Sequence, residues 1–223
     1  MNEDTKANKN IVLDIIIALT IGTKNDNRLE CEMNNKKYRL NSAKYLLGQA
    51  IRQYQLPQSH ILVSEKALEL WQRISIDDIR TKQYRDNILC ENNNEIFVQM
   101  YTGNKIESTA EKLVKGINFP FNNVFHDEHV IPIRMIISQL LALDSFTYEN
   151  VELILSQMYI CKILKTEDRQ IKQKSIRPSC LIDAINSCYI PVGINVVNWE
   201  EVKSNYLDLC NGNCTQCQRK IKQ

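Results

Sequence analysis

Phe125-His126-Asp127-Glu128-His129-Val130-Ile131-Pro132, followed by the stripe Ile133, Ile136, Ile137, Leu140 and Leu141, is the stretch on which the fold reading turns. Its first half sets four polar, titratable side chains between apolar neighbours, so the backbone around them is held firmly. Its second half has the three-and-four spacing of one buried helix face. Pro132 suits the first helical position, and Asp127 and Glu128 suit the approach to a helix N-terminus. On that structural reading His126 and His129 are satisfied polar residues at the end of a strand. A strand running into a helix, in a chain otherwise rich in helical periodicity, predicts an α+β fold that is predominantly helical.

The flanking segments extend the pattern. Upstream, Glu95-Ile96-Phe97-Val98-Gln99-Met100-Tyr101 is β-branched and aromatic and predicts a strand. Ser108 through Lys115, closed by Gly116, reads as a helix. Ile11–Leu19 reads as a buried helix or strand, with helix favoured because Asp14 suits a helix edge better than a central strand. Ser42 caps a helix whose stripe is Tyr45, Leu46, Gln49, Ala50 and Gln53, and Ser64 with Glu65 starts another carrying Ala67, Leu68, Leu70 and Trp71. A further helix start is predicted at Ser75-Ile76-Asp77-Asp78. Downstream, Thr147 precedes a run in which Val151, Ile154, Leu155, Met158, Cys161 and Ile163 are spaced as one buried helix face. Thr166-Glu167-Asp168 begins a fresh helix, and two short helices are expected near 180–188 and 198–209. The run Asn92-Asn93-Asn94 marks the best boundary, giving a helical region over 1–90 and a mixed region over 91–223.

With 223 residues the chain is long enough for one large or two small domains. Its 43% apolar and 24% charged residues, with only 6 Gly and 5 Pro, exclude a collagenous or low-complexity chain. Lys and Arg total 28 against 26 Asp and Glu, so the net charge of +2 excludes a uniformly basic nucleic-acid binder but leaves room for a local basic face. The apolar run Ile11–Gly22 carries Asp14 and is too short to span a bilayer, so no membrane association is expected. Glu3 and Asp4 before it, and the lack of a small-residue cleavage site, argue against a signal peptide. The expected compartment is the cytoplasm, where the 8 Cys are thiols or metal ligands rather than disulfides.

The chemistry of 125–132 points to phosphodiester hydrolysis. Carboxylates hold a hard divalent cation such as Mg²⁺ or Mn²⁺ and leave positions open for phosphate. A neutral imidazole beside it can deprotonate water. Glu128-His129-Val130-Ile131-Pro132 resembles the first motif of the HNH (ββα-metal) nucleases, and Tyr148-Glu149-Asn150-Val151-Glu152-Leu153 resembles the second. The resemblance implies a small mixed ββα-like catalytic region in the C-terminal half. It implies that Glu128 or Asp127 touches the metal, that His129 is the general base and that Asn150 orients it. Tyr159 stands where the family has its third ligand, with Gln157, Lys162 and Asp168 as alternatives. A restriction-type DNA endonuclease, working as a homodimer with a helical DNA-gripping half, is what the family would lead one to expect; an RNA-directed nuclease could use the same residues.

Two other groups bear on function. Cys210, Cys214 and Cys217, with a fourth ligand such as Cys188, have the spacing of a structural Zn²⁺ knuckle that would staple the C-terminus; ordinary thiols on a loose tail are the alternative. Lys36, Lys37 and Arg39 around Tyr38, and Arg80, Lys82 and Arg85 around Tyr84, combine cations and aromatics as DNA-binding surfaces do. Without the catalytic reading, the same features describe a non-enzymatic module that binds nucleic acid or protein and carries a zinc-stapled C-terminus.

Overall fold

The computed structural model describes residues 3–25, 43–102, 105–171 and 178–210. In chain order the elements are α1 (Glu3–Asn25), α2 (Ala43–Arg52), β1 (Ile61–Val63), α3 (Glu65–Ile74), β2 (Asn87–Leu89), β3 (Ile96–Thr102), β4 (Lys105–Leu113), β5 (Asn118–Pro120), β6 (Phe125–His129), α4 (Ile133–Leu141), α5 (Tyr148–Leu155), β7 (Ile160–Leu164), α6 (Lys165–Gln170), α7 (Leu181–Ala184) and α8 (Trp199–Cys210). The fold is α+β. Among the described residues no helix is long and apolar enough to cross a membrane.

The chain forms two compact units, each assembled from two separate pieces: residues 1–56 with 131–158, and residues 57–130 with 159–223. The boundary expected near residue 90 falls inside the second unit, where Cys90 is fully buried in the same core as Trp71 and Ile96.

The first unit is helical. Leu13 and Ile16 of α1, Leu47 and Ile51 of α2, four apolar residues of α4, and Val151, Ile154 and Leu155 of α5 share one core. The predicted stripe on α4 is the buried one. On α2 the buried face is rotated: Leu47 and Ile51 point inward while Tyr45 and Leu46 are exposed. Ser42, the expected cap of α2, lies outside the described residues. Thr147 caps α5 by accepting from the Asn150 amide N–H at 3.3 Å.

The second unit is built on a three-stranded mixed sheet ordered β1-β7-β6, with β1 parallel and β6 antiparallel to the central β7. Alternation along the strands sends side chains into two cores. Leu62, Cys161 and Ile163 face one core with α7, Tyr189 and Ile194. Val63 and Phe125 face the other, where Trp71 of α3 meets Phe121 and Phe125 edge to face at 6.0 and 5.6 Å. An antiparallel hairpin, β3–β4, and the antiparallel pair β2–β5 that brackets it in the chain complete the unit.

Three expected helices differ in the structure. The segment from Ser108 is strand β4, paired with β3; Ser108-Thr109 is poor helix interior, and cross-strand pairing with the apolar β3 outweighs the local signal. The run after Thr147 stops at Leu155, and Cys161 and Ile163 belong instead to β7. An apolar stretch satisfies both periods over a few residues, and β7 is covered on both faces. Beyond Ser75 only a single 3₁₀ turn forms, with Asp78 accepting from the Arg80 N–H at 2.9 Å.

Candidate metal centre

Strand β6 carries the polar quartet, and its pleat divides the quartet between two faces. Phe125 is buried on one face. Asp127, two residues on, meets Lys162 of β7 at 2.8 Å. Lys162 is almost fully buried, also donates to the Lys82 carbonyl at 2.7 Å, and lies 4.9 Å from the Phe121 ring centre. Asp127 is thus the counter-ion of a buried lysine.

His126 and Glu128 project from the opposite face. The His126 Nε2 lies 3.0 Å from Glu128 Oε2 and 3.9 Å from Asp168 Oδ1. One ligand atom from each of the three lies within 4.8 Å of the others. Their side chains are 27%, 13% and 17% exposed, enough shelter to hold a cation and enough opening to admit a ligand.

Asp168 reaches this cluster because α6 is anchored from its first turn. Lys165 N–H donates to the Val124 carbonyl at 2.9 Å. Glu167 folds back so that its Oε2 accepts from the Leu164 N–H at 2.9 Å, which is half of a capping box, since Leu164 has no side-chain acceptor to complete it. The same Oε2 accepts from the Ser64 hydroxyl at 2.6 Å, and Ser64 Oγ in turn accepts from the Ala67 N–H as the cap of α3. One hydroxyl therefore joins the starts of two helices. Glu167 Oε1 is buried with no hydrogen-bond partner among the described residues.

Helix α6 also carries two cations against an aromatic ring. Lys165 and Arg169, one turn apart on α6, lie 5.7 and 4.5 Å from the centre of the Tyr101 ring. Burial, and then the neighbouring Arg169 charge, holds the Lys165 ammonium below the ordinary lysine range, with Asp168 opposing. Tyr84 stands edge-on to His126 at 6.3 Å.

His126 Nε2 and Glu128 Oε2 share a hydrogen bond at 3.0 Å, and the same two atoms with an oxygen of Asp168 are of the kinds that could hold a divalent ion. One imidazole with two carboxylates suits Mn²⁺ better than Mg²⁺, which prefers oxygen alone.

The other expected site residues fall elsewhere. His129 ends β6 in register with Ile160, and alternation turns it to the face opposite Glu128. Asn150 belongs to the helical unit, where its Nδ2 donates to the Ser145 carbonyl at 3.2 Å. Tyr159 is buried, stacked on His60 at 4.3 Å. Arg80 pairs with Asp78, Lys82 pairs with Asp77, and Arg85 is exposed. Cys188 is buried in the second unit. Cys210 is the last residue of α8, and Cys214, Cys217, Lys36, Lys37 and Arg39 lie outside the described residues. Sequence reasoning missed His126 as a ligand; the signal was its spacing of two from Glu128 on a strand, which puts both on one face. Asp168 was one of the alternatives to Tyr159. Comparison with models of known families, with curated proteins and with solved structures finds no match.

Proposed function

We propose that the chain is a divalent-metal-dependent hydrolase of nucleic-acid phosphodiester bonds, with His126, Glu128 and Asp168 as the metal ligands. The observation that carries this reading is the convergence of one imidazole nitrogen and two carboxylates within 4.8 Å in a half-sheltered position. A cation bound there supplies Lewis-acid polarisation of a phosphoryl oxygen and water acidic enough to attack at neutral pH. The chain's own part is positional. The β6 pleat presents His126 and Glu128 together, and the anchored start of α6 delivers Asp168.

The order of elements also supports a ββα-like reading. β6 and β7 are antiparallel neighbours and α6 follows β7 directly, so the ligands come from the first strand and the helix. The segment Ile131–Met158 takes the place of the short connection the nuclease family has. The ligand set differs from the one expected from the motif: His126 and Asp168 replace Asp127 and Tyr159, and His129 and Asn150 are not part of it.

The test is calorimetric titration with Mn²⁺ alongside cleavage of plasmid and of single-stranded circular DNA. His126→Ala, Glu128→Gln and Asp168→Asn should each weaken Mn²⁺ binding by about tenfold or more and abolish cutting. His129→Ala and Asn150→Ala should retain both. Loss of cutting in the latter pair, with Mn²⁺ affinity unchanged in the former three, would return the assignment to the motif residues. Nucleic-acid binding without any divalent-dependent cutting would favour the non-enzymatic module.

A further inference from the structure

Helix α1 is apolar on the side away from the helical core as well as on the side that faces it. Leu13, Ile16 and Thr20 are buried, whereas Ile11 and Ile15 on the opposite side are 56% and 46% exposed, and Ala18 and Gly22 are exposed with them. The spacing of these four, four residues then three then four, is that of a seam along which two helices pack. A helix that is apolar all round is one that is covered all round. Gly22 sharpens the point. Its backbone is helical, and beyond its own helix backbone no atom lies within 4 Å of where a Cβ would stand. Neither the backbone conformation nor a close neighbour in the chain calls for glycine there, and glycine weakens a helix relative to alanine. The seam is also complementary to itself. When two copies lie antiparallel about a two-fold axis between residues 16 and 17, Ile11 faces Gly22 and Ile15 faces Ala18. Every layer then sets a branched side chain against a small one, which lets the helices approach closely. Val12 and Leu19, partly exposed along one side of the seam, add apolar area, and Asp14 on the other side keeps its hydrogen bond from the Tyr148 hydroxyl at the solvent rim. From Ile11 to Gly22 the seam is about 16 Å long. That is short for the roughly 800 Å² per partner of a standard interface, so the contact is weak and reversible.

We propose that the outer face of α1 is a docking surface for a second copy of this chain, the two helices packing antiparallel through Ile11, Ile15, Ala18 and Gly22. The surface stands independently of the hydrolase reading, since no metal ligand lies on it. The test is sedimentation equilibrium of the full chain without metal, from micromolar to several hundred micromolar. The native chain should show a reversible monomer–dimer equilibrium. Ile15→Lys and Ala18→Glu should each weaken it about tenfold or more, because each puts an unpaired charge into both symmetric layers. Mixed in equal amounts, the two variants should form a heterodimer, since one layer then joins the introduced ammonium to the introduced carboxylate while the other layer is native. Gly22→Gln, a good helix former too bulky for Ile11 of the other copy, should weaken association while raising the melting temperature of the dilute monomer. Circular dichroism shows whether each variant is folded. A native chain that stays monomeric throughout would overturn the proposal. So would native association by a folded Ile15→Lys variant, a mixture that associates no better than its components, or a Gly22→Gln monomer that melts lower than the native one. A native monomer that floats with phosphatidylcholine vesicles, when Ile15→Lys does not, would overturn it in favour of a lipid surface.

Discussion

Neighbouring carboxylates of one short strand do different work. Asp127 neutralises a lysine that is 2% exposed, so its removal strands a charge in the core. Asp127→Ala should therefore cost about 3–5 kcal/mol in denaturant unfolding, and Asp127→Ala combined with Lys162→Met should recover most of it. Glu128 and Asp168 are the opposite case, two acids drawn together around one imidazole. Glu128→Gln should remove the added stability that Mn²⁺ gives the native chain, read as the shift of the unfolding midpoint on adding Mn²⁺. Lys165 supplies a pH signature. Its folded pKa is lowered, so its charged form is disfavoured by the fold at neutral pH. That penalty disappears as pH rises from the lowered value through the ordinary lysine range. Native stability should therefore gain a small alkaline contribution that Lys165→Met lacks, read as melting temperature against pH for the two proteins.

At the scale of elements, Ser64 and Glu167 couple the starts of α3 and α6 through one hydroxyl. Ser64→Ala removes a helix cap and the donor to a buried carboxylate, an expected loss of about 2–4 kcal/mol. Because α6 carries Asp168, the same substitution should weaken Mn²⁺ binding without touching a ligand. The helix starts at Ser64 and Thr147 were legible because caps are local chemistry, as was the α4 stripe. Strand β4 was misread although its pairing with β3 is local: only Gly103-Asn104 separates the two strands, a hairpin signal in the sequence that the cap-like Ser108 and the closing Gly116 overrode. Strand β7 was hidden for a different reason: Cys161 and Ile163 fit a helix period and a strand period alike, and only the neighbours β1 and β6 select between them. The candidate site was half legible. The patch at 126–129 drew attention through its density of titratable groups, but which of them act together depends on the pleat. Read as a loop, Asp127, Glu128 and His129 can share a pocket; read as a strand, His126 and Glu128 pair while Asp127 and His129 leave for the other face.

For the molecule as a whole, each unit has its own core, so damage should be separable. Leu140→Ala in the helical unit should cost about 2–5 kcal/mol and leave Mn²⁺ affinity near native, whereas Trp71→Ala, about 3–5 kcal/mol, should weaken both stability and Mn²⁺ binding. Calorimetric unfolding with and without Mn²⁺ checks this, since only the second unit holds the ligands. The helical segment Ile131–Met158 leaves the sheet after Val130 and returns at Tyr159, and these two residues are themselves joined by the Val130 N–H donating to the Tyr159 carbonyl at 3.0 Å. During synthesis this arrangement sets a schedule. Leu13, Ile16, Leu47 and Ile51 emerge from the ribosome long before α4 and α5 exist to cover them, and β6 must wait for the whole helical insertion before β7 arrives. The nascent chain therefore carries two unfinished apolar surfaces at once, an opening for chaperones that a chain of the same composition in sequential order would not present.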